Sequence, residues 1–354
     1  MKIALTADNH LTTQARNPER FQALANILKQ CGDTQVKLLI IAGDLFDQSL
    51  PNFAEFEALY SKHRPPDLTT AIIPGNHDQD LTQEKIAADG LIIHHKPQLL
   101  PLNNSWKILF VPYQKSQTMG GIIAHFADEL QDQRWILIGH GDWSPGIQTS
   151  EPYEPGVYMP LTRSDLALYK PEMVFLGHIH RPSDSEKVHY PGSPCPLNPT
   201  ETGLRRFLLL DLKQGKISPK LVDSPLLFFN ERFLMLSRDN ELNLLKKQML
   251  DRIQSWDLPT GWEKRVQLKV EIAGFAADRD AVRKIVKRVF SPFKFFKDDN
   301  LDLSQLFNKP DQDREQIALE TQEWINSLDW TDNPSLPSKT DILEEALKVI
   351  YGVE

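Results

Sequence analysis

Short apolar runs recur along the first two-thirds of the chain, each cut by polar or glycine-containing stretches. The runs at 2–6, 36–42, 70–73, 106–111, 135–138, 173–176 and 207–212 are rich in β-branched and large apolar residues and are too short for helices, so they predict strands. Between the first two lies 18–30, where Phe21, Leu24, Ile27 and Leu28 fall on one helical face, with Cys31-Gly32 as the expected stop. Strands separated by helices predict an α/β layered domain. Two stretches, 144–160 and 190–203, are dense in Pro, Gly, Ser and Thr and predict long loops, which in a compact domain often line a site.

The texture changes near 223–230. A strand-type segment at 267–273 precedes a helical one at 278–290, which predicts a small α+β unit. From Asp311 the pattern is helical to Leu328, prolines interrupt it at 333–338, and 340–351 forms a last amphipathic helix carrying Ile342, Leu343, Leu347 and Ile350. The chain is therefore divided into 1–222, 223–305 and 306–354.

At 354 residues the chain is too long for one ordinary core, which supports that division. With 40% hydrophobic and 25% charged residues and a mean hydropathy of −0.39, the composition is that of a soluble globular protein. No apolar run approaches the roughly 18 residues of a membrane span. The run after Met1 ends at Asp8 and reads as a first strand rather than a signal peptide. Cys31 and Cys195, far apart in sequence, suggest no disulfide framework, so a reduced, cytoplasmic setting is expected. A net charge of −8 argues against coating nucleic acid by bulk electrostatics, while leaving room for a local basic surface.

Five polar blocks follow the expected strands: Asp8-Asn9-His10, Gly43-Asp44, Gly75-Asn76-His77-Asp78, Gly139-His140 and Gly177-His178-Ile179-His180. Ligands of α/β sheets collect at the carboxyl ends of strands, so all five blocks can face one site. Aspartate, histidine and an Asn carbonyl make mixed nitrogen and oxygen ligand sets that favour Mn, Fe or Zn over Mg or Ca. Asp44 is a natural bridge, because one carboxylate can hold two cations. Two divalent ions outweigh the charge of Asp8 and Asp44, and a cationic site suits an anionic phosphoryl group. His63, His94, His95, His125 and His189 lack such a block and read as structural or solvent-facing.

In this order the blocks resemble the motif set of calcineurin-like metallophosphoesterases. The resemblance implies a four-layer α/β/β/α domain with a smaller α+β cap domain and a C-terminal helical tail. It implies that Asp8, His10, Asp44 and His180 hold one divalent ion and Asp44, Asn76, His140 and His178 the other, Mn2+ first, with Mg2+, Fe2+ or Zn2+ as alternatives. His77 becomes the catalytic histidine, with Asp78 orienting it. Gly43-Asp44-Leu45-Phe46-Asp47, Gly177–Pro182 and Tyr190-Pro191-Gly192-Ser193-Pro194 are similar to SbcD-type DNA repair nucleases, with Asp47 in a supporting role behind the ligands. Thr12 departs from the glycine usual there.

Several further expectations come with that resemblance. The activity is phosphodiester hydrolysis by a two-metal-activated water, as an exo- and endonuclease on DNA. Arg283, Lys287 and Arg288, on one face of the helix at 278–290, are candidate DNA contacts. Phe290, Phe293, Phe295 and Phe296 are expected to pack rather than stack on bases. The terminal helices either dock, through Leu343, Leu347 and Ile350, on an SbcC-type coiled-coil ATPase or pack on their own domain. A homodimer is implied and a membrane is not. Two other functions remain open: a phosphodiesterase acting on a small nucleotide or lipid precursor, and a DNA-end-binding scaffold within the ATPase complex.

Overall fold

A computed structural model of the chain describes residues 1–48, 51–144, 156–235, 240–297, 301–307, 312–330 and 337–351. These form two compact units, Met1–Leu227 and Phe228–Glu354.

The first unit holds two six-stranded sheets. One runs Lys216–Leu221, Arg206–Asp211, Lys2–Thr6, Leu38–Ala42, Thr69–Ile73, Leu91–Ile93, and the other Ser183–Ser185, Val188–Tyr190, Met173–Gly177, Arg134–His140, Trp106–Val111, Gln98–Asn103. Alternation along each strand sorts the side chains into layers. Ile3, Leu5, Ile40, Ala42, Ala71 and Ile73 face Ile108, Phe110, Ile136, Ile138 and Phe175 in a core between the sheets. The intervening Ala4, Leu39, Ile41 and Ile72 pack outward with Phe21, Leu24, Ile27 and Leu28 of the helix Pro18–Asp33 and Phe56 and Tyr60 of Phe53–His63. On the far side Leu109, Trp135, Leu137, Val174 and Leu176 pack with Met119, Ile122 and Ile123 of the helix Met119–Ala124. Helix, sheet, sheet and helix thus make the four layers.

The first helix runs past its expected stop. Gly32 stays helical, and the left-handed turn falls three residues later at Gln35 (φ 56°). The strands that apolar runs failed to reveal, such as Gln98–Asn103 and Ser183–Ser185, lie at or near the sheet edges, where exposure lets polar residues interrupt the pattern. Of the expected loop at 144–160, residues 145–155 lie outside the described part, as do 331–336 in the proline-containing interruption.

In the second unit Leu227–Met235 and Val266–Phe275 pair, flanked by the helices Glu241–Ser255 and Arg279–Val289. Phe290 and Phe293 are buried, with Trp256 5.2 Å from Phe293 and stacked on Phe229 at 4.2 Å, so these phenylalanines belong to the core. The helices Gln312–Ser327 and Lys339–Tyr351 bury Leu343 and Leu347 with Ala318 and Ile325. The apolar face considered for an ATPase partner is therefore used within this unit. No helix among the described residues is long and apolar enough to cross a membrane.

Candidate metal centre

Five strands end at one place. Lys2–Thr6, Leu38–Ala42 and Thr69–Ile73 lead into Asp8-Asn9-His10, Asp44 and Asn76-His77-Asp78, while Arg134–His140 and Met173–Gly177 supply His140, His178 and His180. Neighbouring strands within each set pair in parallel, so their carboxyl ends share an edge. The chain leaves the strands sharply: Asp8 (φ 54°), His10 (φ 45°), Asp44 (φ 50°) and His178 (φ 99°) are left-handed. Such conformations cost non-glycine residues on the order of 1–3 kcal/mol and persist where the surroundings enforce them. Backbone bonds from Asp8 N to Gly43 O (3.1 Å), His10 N to Asp44 O (3.0 Å) and Leu11 N to Leu45 O (2.9 Å) lace the first two loops together.

Asp44 sits in the middle. Its Oδ2 lies 3.6 Å from His10 Nε2 and 3.4 Å from His140 Nε2. On one side His10 Nε2 and His180 Nε2 are 3.2 Å apart. On the other, Asn76 Oδ1 lies 2.8 Å from His140 Nε2 and 3.1 Å from His178 Nδ1. Ligand atoms of Asp8, His10 and His180, of His10, Asp44 and His77, and of Asp8, Asp44 and His140 each lie within 4.8 Å of one another.

The protonation pattern suits cations. His140 Nδ1 donates to Ala42 O at 2.9 Å, which leaves an Nε2 lone pair facing Asn76 Oδ1 and Asp44 Oδ2, both acceptors. His180 Nδ1 donates to the Glu201 carboxylate at 3.0 Å, which aims the Nε2 lone pair at His10. Asp8 Oδ1 accepts from His178 N at 2.9 Å, while its buried Oδ2 has no hydrogen-bond partner among the described residues. Converging lone pairs without protons between them are what divalent ions resolve. Without ions the cluster must hold protons: burial drives the Asp8 carboxyl up to about 6 and His10 down to about 3. Burial also opposes charge on His140, but the neighbouring Asp44 carboxylate overcomes it and raises His140 to about 10. Asp44 in turn is held below the usual range by His140 and His10 despite its burial.

His77 lies beside this cluster, its ring edge-on to His10 at 4.7 Å and its backbone N–H donating to Asp44 Oδ1 at 2.8 Å. Both carboxylate oxygens of Asp78, the residue next to His77, accept from backbone. Its Oδ1 accepts from Gly75 N (2.7 Å) and its Oδ2 from Phe46 N (3.2 Å), tying the second and third loops. Burial and the nearby Asp44 charge raise the Asp78 carboxyl to about 7. Asp47 lies 3.8 Å from Arg20 Nη1, and the same nitrogen donates to His10 O at 2.6 Å. Thr12 takes its place through a 2.9 Å bond from its hydroxyl to Asn17 Oδ1.

Glu201 and Asp142 also approach the histidines of the cluster, and neither belongs to a motif of the sequence. Asp142 Oδ1 is 3.6 Å from His178 Nε2. Glu201 lies in the proline-rich stretch at 190–203, and loop length was the one signal pointing there. Gly192 turns that loop at φ 75°; a Cβ on it would stand 2.6 Å from His180 O, so the glycine of the Tyr-Pro-Gly-Ser-Pro run allows the loop to press against the ligand segment. His94 is structural, stacked on Phe110 at 4.2 Å. In the second unit, Lys287 and Arg288 are exposed and Arg283 is half-buried on Arg279–Val289, whose opposite face buries Val282 and Val286.

Carboxylate, imidazole and amide groups gather at the strand ends of a four-layer sandwich, a donor set that suits divalent cations. Residues 1–182 match the calcineurin-like phosphoesterase family, and the chain belongs to it. The protein is thus a metallophosphoesterase, a phosphoester hydrolase of a family that uses two divalent metals. It is similar to the SbcD component of the SbcCD nuclease of Escherichia coli K12, 26% identical over 271 residues that cover 61% of this chain and 66% of that protein. The SbcD component from E. coli O157:H7 matches equally. The chain thus spans 66% of the length of these relatives. Among solved structures, an archaeal phosphodiesterase is 14% identical, covering 62% of this chain and 99% of its own, with a TM-score of 0.34. A dimetal phosphatase from Danio rerio is 11% identical over 62% of this chain and 95% of its own, with a TM-score of 0.38.

Proposed function

We propose that the protein is a DNA nuclease that hydrolyses phosphodiesters with two divalent ions, Mn2+ foremost, in DNA repair or end processing. The observation that carries the hydrolytic chemistry is Asp44 Oδ2 lying 3.4 Å and 3.6 Å from imidazoles of two opposite ligand groups, with His77 alongside. The choice of DNA follows from the similarity to the SbcD component of the SbcCD nuclease.

Asp8, His10, Asp44 and His180 hold one ion, and Asp44, Asn76, His140 and His178 the other. When bound, the ions supply positive charge to the phosphoryl oxygens and make a water nucleophilic near neutral pH. His77, at the edge of the cluster, donates a proton to the departing sugar oxygen. Asp78 and Arg20 keep the ligand loops in register through Gly75 N, Phe46 N and His10 O. Arg283, Lys287 and Arg288 bind phosphates of the DNA. A coiled-coil ATPase of the SbcC type is the expected partner, and among the described residues of the terminal helices Ile317, Trp324 and Val349 are exposed to it, while Leu343 and Leu347 are buried.

Cleavage of end-labelled linear and hairpin DNA with Mn2+, with Mg2+ and with chelator tests the proposal. Mn2+-dependent cleavage that chelator abolishes is expected. Hydrolysis of a chromogenic phosphodiester without any cleavage of DNA would refute the nuclease assignment and leave a small-molecule phosphodiesterase.

A further inference from the structure

A dense buried polar network surrounds Glu201 beside the ligand cluster. This residue is 8% exposed and Arg205 is fully buried. Glu201 Oε1 accepts from His180 Nδ1 at 3.0 Å and from Asn198 Nδ2 at 2.8 Å. Its Oε2 accepts from Ser193 Oγ (2.9 Å), Leu197 N (3.0 Å) and Arg205 Nη2 (3.3 Å). Arg205 also donates to His180 O (3.3 Å) and Ser193 O (3.1 Å), and Ser193 N donates to His180 O (3.0 Å). Both ends of His180 are therefore held by one buried ion pair, the ring by the carboxylate and the carbonyl by the guanidinium.

This arrangement differs from that of His140, whose distal nitrogen meets the neutral carbonyl of Ala42. A carboxylate on the distal N–H of an imidazole fixes its tautomer and ring plane and strengthens the opposite nitrogen as a ligand. Arg205 balances the Glu201 charge, so the pair stays buried as a neutral unit. Ser193, Leu197 and Arg205 saturate Oε2, which leaves Oε1 to His180 and Asn198 and the carboxylate without freedom to turn away.

We propose that Glu201, locked by Arg205, is a positioning residue that sets the tautomer and donor strength of His180 and thereby the affinity of one of the two metal positions. The inference rests on His180 being a metal ligand.

The test is calorimetric titration of Mn2+ into metal-free full-length protein, with thermal unfolding recorded before and after loading. Wild type takes up two ions. Glu201→Gln weakens one of them by roughly 10–100-fold, the usual cost of losing such a partner, and leaves the other unchanged. Because Glu201→Gln strands a buried guanidinium, the double variant Glu201→Gln/Arg205→Gln, which exchanges the ion pair for two neutral amides, is measured beside it. The same selective loss is expected. In a His180→Ala background Glu201→Gln changes Mn2+ affinity no further, since its effect runs through that ring. A purely architectural Glu201 would lower the unfolding temperature of metal-free and loaded protein alike and leave both affinities intact, which overturns the inference. Wild type that takes up fewer than two ions overturns the ligand assignment itself, and the inference with it.

Discussion

Replacing Gly75 by alanine tests whether the ligand cluster depends on backbone close to its centre. A Cβ built on Gly75 lies 2.2 Å from Asp44 Oδ1, 2.6 Å from Asp44 N and 2.7 Å from His140 Cε1. Non-bonded heavy atoms rest at about 3.5 Å, so Asp44 or the loop carrying Gly75 must give way by roughly 1 Å. Metal sites tolerate only about 0.2 Å of ligand displacement, so the shift exceeds that tolerance several-fold. The neighbours are a backbone nitrogen, a buried carboxylate and a buried imidazole, none of which can swing aside as a flexible chain end would. Overpacking of this sort costs the fold about 1–3 kcal/mol, which a unit of this size can survive. Loss of metal is the larger effect. At 100 times its dissociation constant a single ion stabilises the folded state by about 2.7 kcal/mol. For a unit of this length that corresponds to a rise of roughly 5–10 °C in unfolding temperature. The assay is differential scanning fluorimetry with and without Mn2+. Gly75→Ala should unfold a few degrees lower without metal and gain almost nothing on loading. Gly121→Ala, in the helix Met119–Ala124 with only Thr118 Oγ1 nearby at 3.1 Å, is the control and should keep the full increment. A Gly75→Ala protein with the wild-type increment would show that the close packing of Asp44 and His140 is irrelevant to metal binding.

His77→Ala should lower single-turnover cleavage by about 10²–10⁴-fold, the range for a lost general acid, while calorimetry still counts two Mn2+ ions. Asp78→Ala should destabilise the first unit by roughly 2–4 kcal/mol in urea titrations, because Gly75 N and Phe46 N lose their carboxyl acceptor and are left buried without one. Changing Arg283, Lys287 and Arg288 together to alanine should weaken DNA binding and lower the slope of log affinity against log salt by roughly one per residue. An unchanged slope would place the DNA elsewhere. Dialysis against chelator should abolish cleavage, and added Mn2+ should restore it.

Much of this site can be read from the chain because its chemistry is local. Asp-x-His, Gly-Asn-His-Asp and Gly-His-x-His each place ligands within three residues just past a strand, and short apolar runs mark the strands themselves. What separates by more than a few residues is different. The side chain of Asp78, next to His77 in sequence, accepts from Gly75 N and, 32 positions back, Phe46 N. Glu201 stands 21 positions beyond His180 in a loop with no regular pattern, and a hydrogen bond between two loops leaves no periodicity in either. Leu343 and Leu347 read as an apolar face, but their pattern does not say what covers that face.

The sequence by itself determined the order of strands and ligands, the residue types of the metal cluster and the family they belong to. These depend on neighbours along the chain and on side-chain chemistry. Only the tertiary structure decided which carboxylate supports which imidazole, why Gly75 and Gly192 need their places, and that the terminal helices cover each other. The physical reason is that hydrogen bonds and packing between distant segments act over about 3–4 Å in space, whatever the separation along the chain.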